Sequence, residues 1–270
     1  MTLIVGIKPP FFGVTENIAK GMLANGMGLR RGVILATDSR WTVYRNLANP
    51  AESFDIATKL FRITANMAIC YAGNSSVAES VVELLEQKKK AGSLGSLGEL
   101  SIGIQDLWTR HPESKNPAIS RLVLMLAHMD RTKNAHLWLF DSMSNFVAEE
   151  LDSGWFEGPT TASTAFESYL QKTINDQLYG HMGNSMDLLN PRDWELLIAQ
   201  AFDNAILDKK LEPTVGGGLQ MISLDEDGFH SPTIKRIDLD KSGLPTTKNV
   251  VQVSADQTDL RLWGQFKRTL

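Results

Sequence analysis

The sequence predicts an α+β layered fold with a two-sheet core and helices outside it. Three observations carry this. Short strand-like runs come in groups, pairs of helical segments separate those groups, and several strands read as apolar on both faces. The first run is Leu3–Ile7, and the second is Gly32–Thr37, ending in Asp38-Ser39-Arg40. Between them, residues of about 9–31 read as an insertion containing a loop or a short helix. Residues 44–54 read as a loop with Asn49-Pro50 as its turn. A third strand covers Thr58–Ile63, and Met67–Ala72 is nearly continuous apolar sequence, as in a strand covered on both sides.

Helices follow. Ser76-Val77-Ala78-Glu79 reads as a capping box opening a helix to about Lys90, whose last turn holds three lysines that complement the helix dipole. Ser96-Leu97-Gly98-Glu99 reads as a second box, opening a helix to about Arg110. Strands are expected at 119–129, 135–140 and 146–151, then helices at 162–178 and from Asn190-Pro191 to about Lys209. Asp225-Glu226-Asp227-Gly228 signals a hairpin joining a strand that ends near Leu224 to one at 233–239. A last strand is expected at 250–253, before a polar tail of about 255–270. There is no internal repeat, low-complexity tract or domain boundary, so residues 1–270 read as one domain.

Composition narrows the function classes. The chain has 270 residues, 43% of them hydrophobic, and a net charge of −4. That balance offers no basic surplus for a nucleic-acid partner. The single cysteine, Cys70, allows no intrachain disulfide and fits a reducing compartment. The first apolar run is too short for a signal peptide, and no segment approaches the roughly 20 apolar residues that span a bilayer. A cytoplasmic protein with no membrane partner is expected.

The chemistry rests on the start of the chain. A small residue after Met1 favours removal of the initiator, leaving Thr2 with a hydroxyl and a free α-amine. An α-amine titrates near pH about 7.7–8.0 and can act as general base for its own hydroxyl. Asp38 alone reads as a turn residue at a strand end, and Lys59 alone as an exposed strand lysine. Gly73 can serve backbone geometry at a strand-to-helix corner, where its N–H also points positive potential outward. Other motifs are weaker. The loop at 238–243 lacks the closing Glu of a calcium site, and Gly216-Gly217-Gly218 lacks the Lys-Ser/Thr of a phosphate loop. His128, Asp130 and His136 could meet across a hairpin, but no nucleophile motif accompanies them. No cofactor and no metal are expected.

Taken in order, Thr2-Leu3-Ile4-Val5-Gly6-Ile7-Lys8, Ala36-Thr37-Asp38-Ser39-Arg40, Thr58-Lys59-Leu60-Phe61-Arg62-Ile63, Tyr71-Ala72-Gly73 and Val215-Gly216-Gly217-Gly218 form a pattern. It resembles the proteasome β-subunit type of N-terminal-nucleophile (Ntn) hydrolase, bacterial proteasome homologues included. The resemblance implies a four-layer αββα sandwich of two antiparallel sheets and a threonine-type peptidase working in a ring-forming homo-oligomer on peptide or unfolded protein, with an unfoldase as a further partner. It implies catalytic roles for Thr2, Asp38, Lys59 and Gly73. Trp41 and Thr42 would line the substrate channel, and Tyr71 and Ser75 would shape the pocket for the side chain before the scissile bond. The chain departs from the pattern in the insertion of about 9–31, and in Glu212 and Val215 where active members carry an acid and a serine. A further family serine has its nearest counterpart in Gly158-Pro159-Thr160-Thr161. An inactive structural ring subunit and a small-molecule amidase on the same scaffold are the alternative readings.

Overall fold

A computed structural model of the chain describes residues 2–9, 32–39, 41–46, 49–54, 58–115, 121–180, 191–207, 215, 219–230, 235–239 and 245–249. The expected insertion of 9–31 lies almost wholly outside these residues, as do the strand at 250–253 and the tail.

Two five-stranded antiparallel sheets form the centre. The first contains β1 (Ile4–Ile7), β2 (Gly32–Asp38), β10 (Gly154–Glu157), β11 (Leu219–Asp225) and β12 (Gly228–His230), in the order β10-β1-β2-β11-β12. The second contains β5 (Leu60–Thr64), β6 (Met67–Gly73), β7 (Leu122–Met129), β8 (Ala135–Asp141) and β9 (Glu149–Glu150), in sequence order. Alternation along each strand decides what lies on either side. Ile4, Val33, Leu35 and Ile222 of the first sheet meet Leu60, Cys70, Met125 and Leu137 of the second in a buried inner core. Leu3, Val5, Ile7, Ile34 and Ala36 point the other way. They pack on α3 (Thr160–Gly180) and α4 (Pro191–Leu207) through Phe166, Leu170, Trp194 and Ile198. On the far side, Phe61, Ile69, Leu124 and Phe140 pack on α1 (Ser75–Lys90) and α2 (Leu97–Arg110) through Val77, Val81, Leu85 and Ile104. The result is the αββα order, and it explains why these strands read as apolar on both faces. Gly6 faces the inner core, where a Cβ would come within 2.9 Å of Met125 Sδ, so a larger residue there would push the sheets apart.

Several local expectations change. The helix α1 is capped by Asn74, whose side chain accepts from the Val77 N–H, so Ser76 lies inside the first turn and forms no capping box. Asn is among the strongest N-cap residues, and it takes the position directly after β6. The second box is as expected: Ser96 Oγ accepts from the Glu99 N–H and the Glu99 carboxylate accepts from the Ser96 N–H. Of residues 44–54, the described ones are strand and not loop. β3 (Trp41–Asn46) and β4 (Asn49–Phe54) form a two-stranded hairpin, and Pro50 is tolerated beside a register irregularity at Tyr44. At 146–151 only Glu149–Glu150 is strand, because Asn145 and Phe146 both have positive φ and Phe146 plugs the outer core. The strand β10 was not expected: it is four residues long and sits at an edge, with Trp155 exposed and Phe156 packed. The hairpin after β11 returns through β12, and β13 (Lys235–Leu239) pairs instead with β14 (Pro245–Asn249). No helix among the described residues is long and apolar enough to cross a membrane.

Candidate active site

At one end of the sandwich, Asp38 and Lys59 come together beside Leu3. β1 and β2 pair antiparallel with Ile4 opposite Thr37, so the residues just outside this register are Leu3 and Asp38. Their backbones join through Asp38 N–H to Leu3 O at 3.2 Å. The Asp38 side chain turns back and accepts from the Leu3 N–H at 2.9 Å. A carboxylate therefore fixes the amide directly after Thr2. Thr2 is itself buried, at 6% exposure.

Lys59 approaches from the other sheet. It sits immediately before β5, and its carbonyl accepts from the Tyr71 N–H of β6 at 3.2 Å. Its Nζ lies 3.4 Å from both Asp38 carboxylate oxygens. With Lys59 2% exposed and Asp38 fully buried, the pair is shielded from solvent and salt. This reverses the expectation, from the residue alone, of an exposed strand lysine. Gln220 completes the link between sheets: its Oε1 accepts from the Lys59 N–H at 2.9 Å. Gln220 was missed in the sequence. The available signal was a polar residue at an inward-facing position of a strand whose neighbours Ile222 and Leu224 are apolar and buried.

Gly73 ends β6 at the same end, opposite Leu122. Its φ is +101°, and a Cβ built there would lie 2.0 Å from the Arg121 carbonyl oxygen. Backbone geometry and space both demand glycine. Replacing Gly73 with alanine should destabilise the fold by about 2–4 kcal/mol, combining left-handed strain with a clash against rigid backbone. Denaturant unfolding of the variant beside the parent measures this, and a loss below about 0.5 kcal/mol, the range of ordinary surface changes, would contradict it.

The expected substrate-binding residues occupy two places. Trp41 and Thr42 open β3, paired across the hairpin with Phe54 and Ser53. Tyr71 is 3% exposed on the helix-facing side of β6, stacked on Phe61 at 6.3 Å. Burial pushes its hydroxyl above the usual range, and the negative charges of Glu79 and Asp38 add to the effect, so it stays protonated. Ser75 is the first residue of α1, half-buried beside Gly73. Gly158 comes against Thr2 and Leu3: a Cβ there would meet the Thr2 carbonyl oxygen at 3.2 Å and Leu3 Cα at 3.3 Å. The stretch 158–161 thus begins beside Thr2. Val215 is 3% exposed and buries its side chain in the apolar cluster with Leu3, while Glu212 lies outside the described residues. The histidines do meet, with His128 and His136 stacked at 6.1 Å and His136 between Asp130 and Glu150. Among the described residues, no group of three or more His, Cys, Asp or Glu side chains is arranged to hold a metal ion.

Two stacked antiparallel sheets between helix pairs, with a buried Asp–Lys pair beside the first strand, define a proteasome-type Ntn-hydrolase sandwich. The family model for proteasome subunits matches residues 18–184, more than half of the chain, and the chain belongs to that family. The match takes in Asp38, Lys59 and Gly73, and starts after Thr2. No curated protein matches the sequence.

Proposed function

We propose that the chain is a threonine-type peptidase that uses Thr2, freed of Met1, as its nucleophile in a ring of identical subunits. The observation behind this reading is that the Asp38 carboxylate both accepts the Leu3 N–H and faces the Lys59 ammonium. A buried ion pair thus sits one residue from the proposed nucleophile. In this reading the α-amine of Thr2 takes the proton from Thr2 Oγ as the oxygen attacks a peptide carbonyl. The Lys59 ammonium lowers the proton affinity of both groups, and Asp38 keeps it charged and oriented. The Gly73 N–H stabilises the tetrahedral oxyanion. The amine then passes its proton to the leaving peptide nitrogen. Water, deprotonated by the same amine, hydrolyses the ester left on Thr2.

Trp41 and Thr42 would border the channel, with Thr42 backbone groups pairing an extended peptide. Tyr71 and Ser75 would limit the pocket beside Gly73. The substrates are peptides or unfolded proteins, delivered in the cytoplasm with an unfoldase as a candidate partner. One observation favours a second reading, an inactive ring subunit: the apolar Val215 side chain offers no hydroxyl to hold the Thr2 amine.

Intact mass and peptide hydrolysis, measured on the same assembled preparations, test the proposal. The mature chain should be lighter than the full sequence by one methionine residue, and turnover of peptide amides should rise in proportion to the Met1-free fraction. Turnover by protein that wholly retains Met1 overturns the Thr2 mechanism. Met1-free, assembled protein without peptide turnover favours the inactive subunit, or an amidase if small amides are cleaved instead.

A further inference from the structure

A further link between the two sheets at this end of the sandwich is Arg121. Arg121 immediately precedes β7, and its backbone carbonyl is the group that sits against Gly73 and accepts the Asn74 N–H at 3.1 Å. Its guanidinium reaches in two directions. Nη2 lies 2.9 Å from Asp141 Oδ2 at the end of β8, in its own sheet, and Nη1 lies 2.9 Å from Glu157 Oε1 at the end of β10, in the other. Glu157 also accepts from Trp155 Nε1 at 3.4 Å, and it pairs in register with Ile4. The next residue is Gly158, the backbone packed on Thr2 and Leu3. One side chain therefore connects the backbone under Gly73 to the backbone over Thr2.

We propose that Arg121 is a positioning residue that sets the distance between the Gly73 amide and Thr2 by clamping β10 to the start of β7. This rests on the peptidase reading above. A forked guanidinium can hold two carboxylates at fixed angles, whereas an ammonium is a point charge without that geometry. The guanidinium is half-exposed while both carboxylates are largely covered, so solvent screens the pairs in part and the variants should fold. Burial pushes the Glu157 carboxyl above its usual range while Arg121 pulls it down, so loss of Arg121 leaves a half-buried acid that is readier to take a proton and release β10. Catalysis is more sensitive than stability here, because a shift of about 1 Å between reacting groups can cost about a hundredfold in rate.

The test compares the parent, Arg121→Gln and Arg121→Lys as assembled proteins, in two measurements. The first is amide hydrogen exchange at Asn74 and across residues 154–158. Exchange should quicken about tenfold in Arg121→Gln, the signature of local opening without global unfolding, and less in Arg121→Lys. Unchanged exchange overturns the clamp whether or not Thr2 reacts. The second is covalent modification by a peptide epoxyketone, resolved into its rate at saturation and its half-saturating concentration. The saturated rate should fall about tenfold or more in Arg121→Gln, with the half-saturating concentration nearly unchanged, as expected for a group acting on the chemical step. An unchanged saturated rate overturns the positioning role, and so does an effect confined to the half-saturating concentration, which would mark a substrate contact. If the parent itself does not react, the peptidase reading fails and the exchange result alone decides the clamp.

Discussion

Replacing Lys59 with methionine is expected to cost the fold about 3–5 kcal/mol, the range for removing one partner of a buried ion pair, and to reduce peptide turnover severely. Methionine fills much of the lysine's volume, so the cost comes from charge and not from a cavity. What remains is the Asp38 carboxylate, fully buried with the Leu3 N–H as a hydrogen-bond donor and no ammonium at 3.4 Å. Adding Asp38→Asn should recover part of the loss, since the neutral amide keeps an oxygen for the Leu3 N–H and leaves no buried charge. Activity should not recover, because the charge that activates Thr2 in the proposed mechanism is gone. Denaturant unfolding of the parent, both single variants and the double variant gives the coupling. A Lys59→Met cost below about 1 kcal/mol, typical of exposed ion pairs, would contradict a buried role.

Replacing Thr2 with alanine is expected to lower peptide turnover by at least about 10³-fold, the scale on which loss of a nucleophile is felt. The fold should survive. Thr2 precedes β1, and the hydrogen bonds that join Leu3 to Asp38 use the Leu3 N–H as donor and the Leu3 carbonyl as acceptor, not the Thr2 side chain. Thr2→Ser keeps both hydroxyl and amine, and should retain most of the activity, losing only the rotamer restriction that the β-branch supplies. Steady-state hydrolysis of one peptide amide by the three proteins separates these outcomes. Equal turnover by Thr2→Ala and the parent would remove Thr2 from the mechanism.

The layered architecture was legible in the sequence because burial on both faces leaves a plain mark: runs such as Val33–Ala36 and Met67–Ala72 have no polar face to offer solvent. The second capping box and the helices around 162–178 and 191–207 were legible for local reasons, in caps, Pro at the first turn and periodic apolar residues. Local signals failed where tertiary contacts decide. The cap of α1 is Asn74, directly after β6, and not the expected Ser76. Residues 49–54 form a strand despite Pro50 because a hairpin partner takes them up. β10 is too short to show a pattern, yet it brings Glu157 and Gly158 to the site. Burial of Lys59 was unreadable from its neighbours, since it depends on Asp38 and Gln220, which arrive from a different sheet. The same reason hid Gln220 and Arg121. Each matters through a partner distant in sequence.

If Thr2 carries the reacting atoms, as proposed, peptide mapping of an epoxyketone adduct will locate them. Such an electrophile needs a hydroxyl and a free amine on one residue to close its ring, a requirement that a Met1-free Thr2 meets. After treatment of the assembled protein, digestion and fragmentation should place the adduct on Thr2 of a peptide that lacks Met1, and the adduct should be absent from Thr2→Ala. An adduct on another residue, or one undiminished in Thr2→Ala, would rule out Thr2 as the nucleophile.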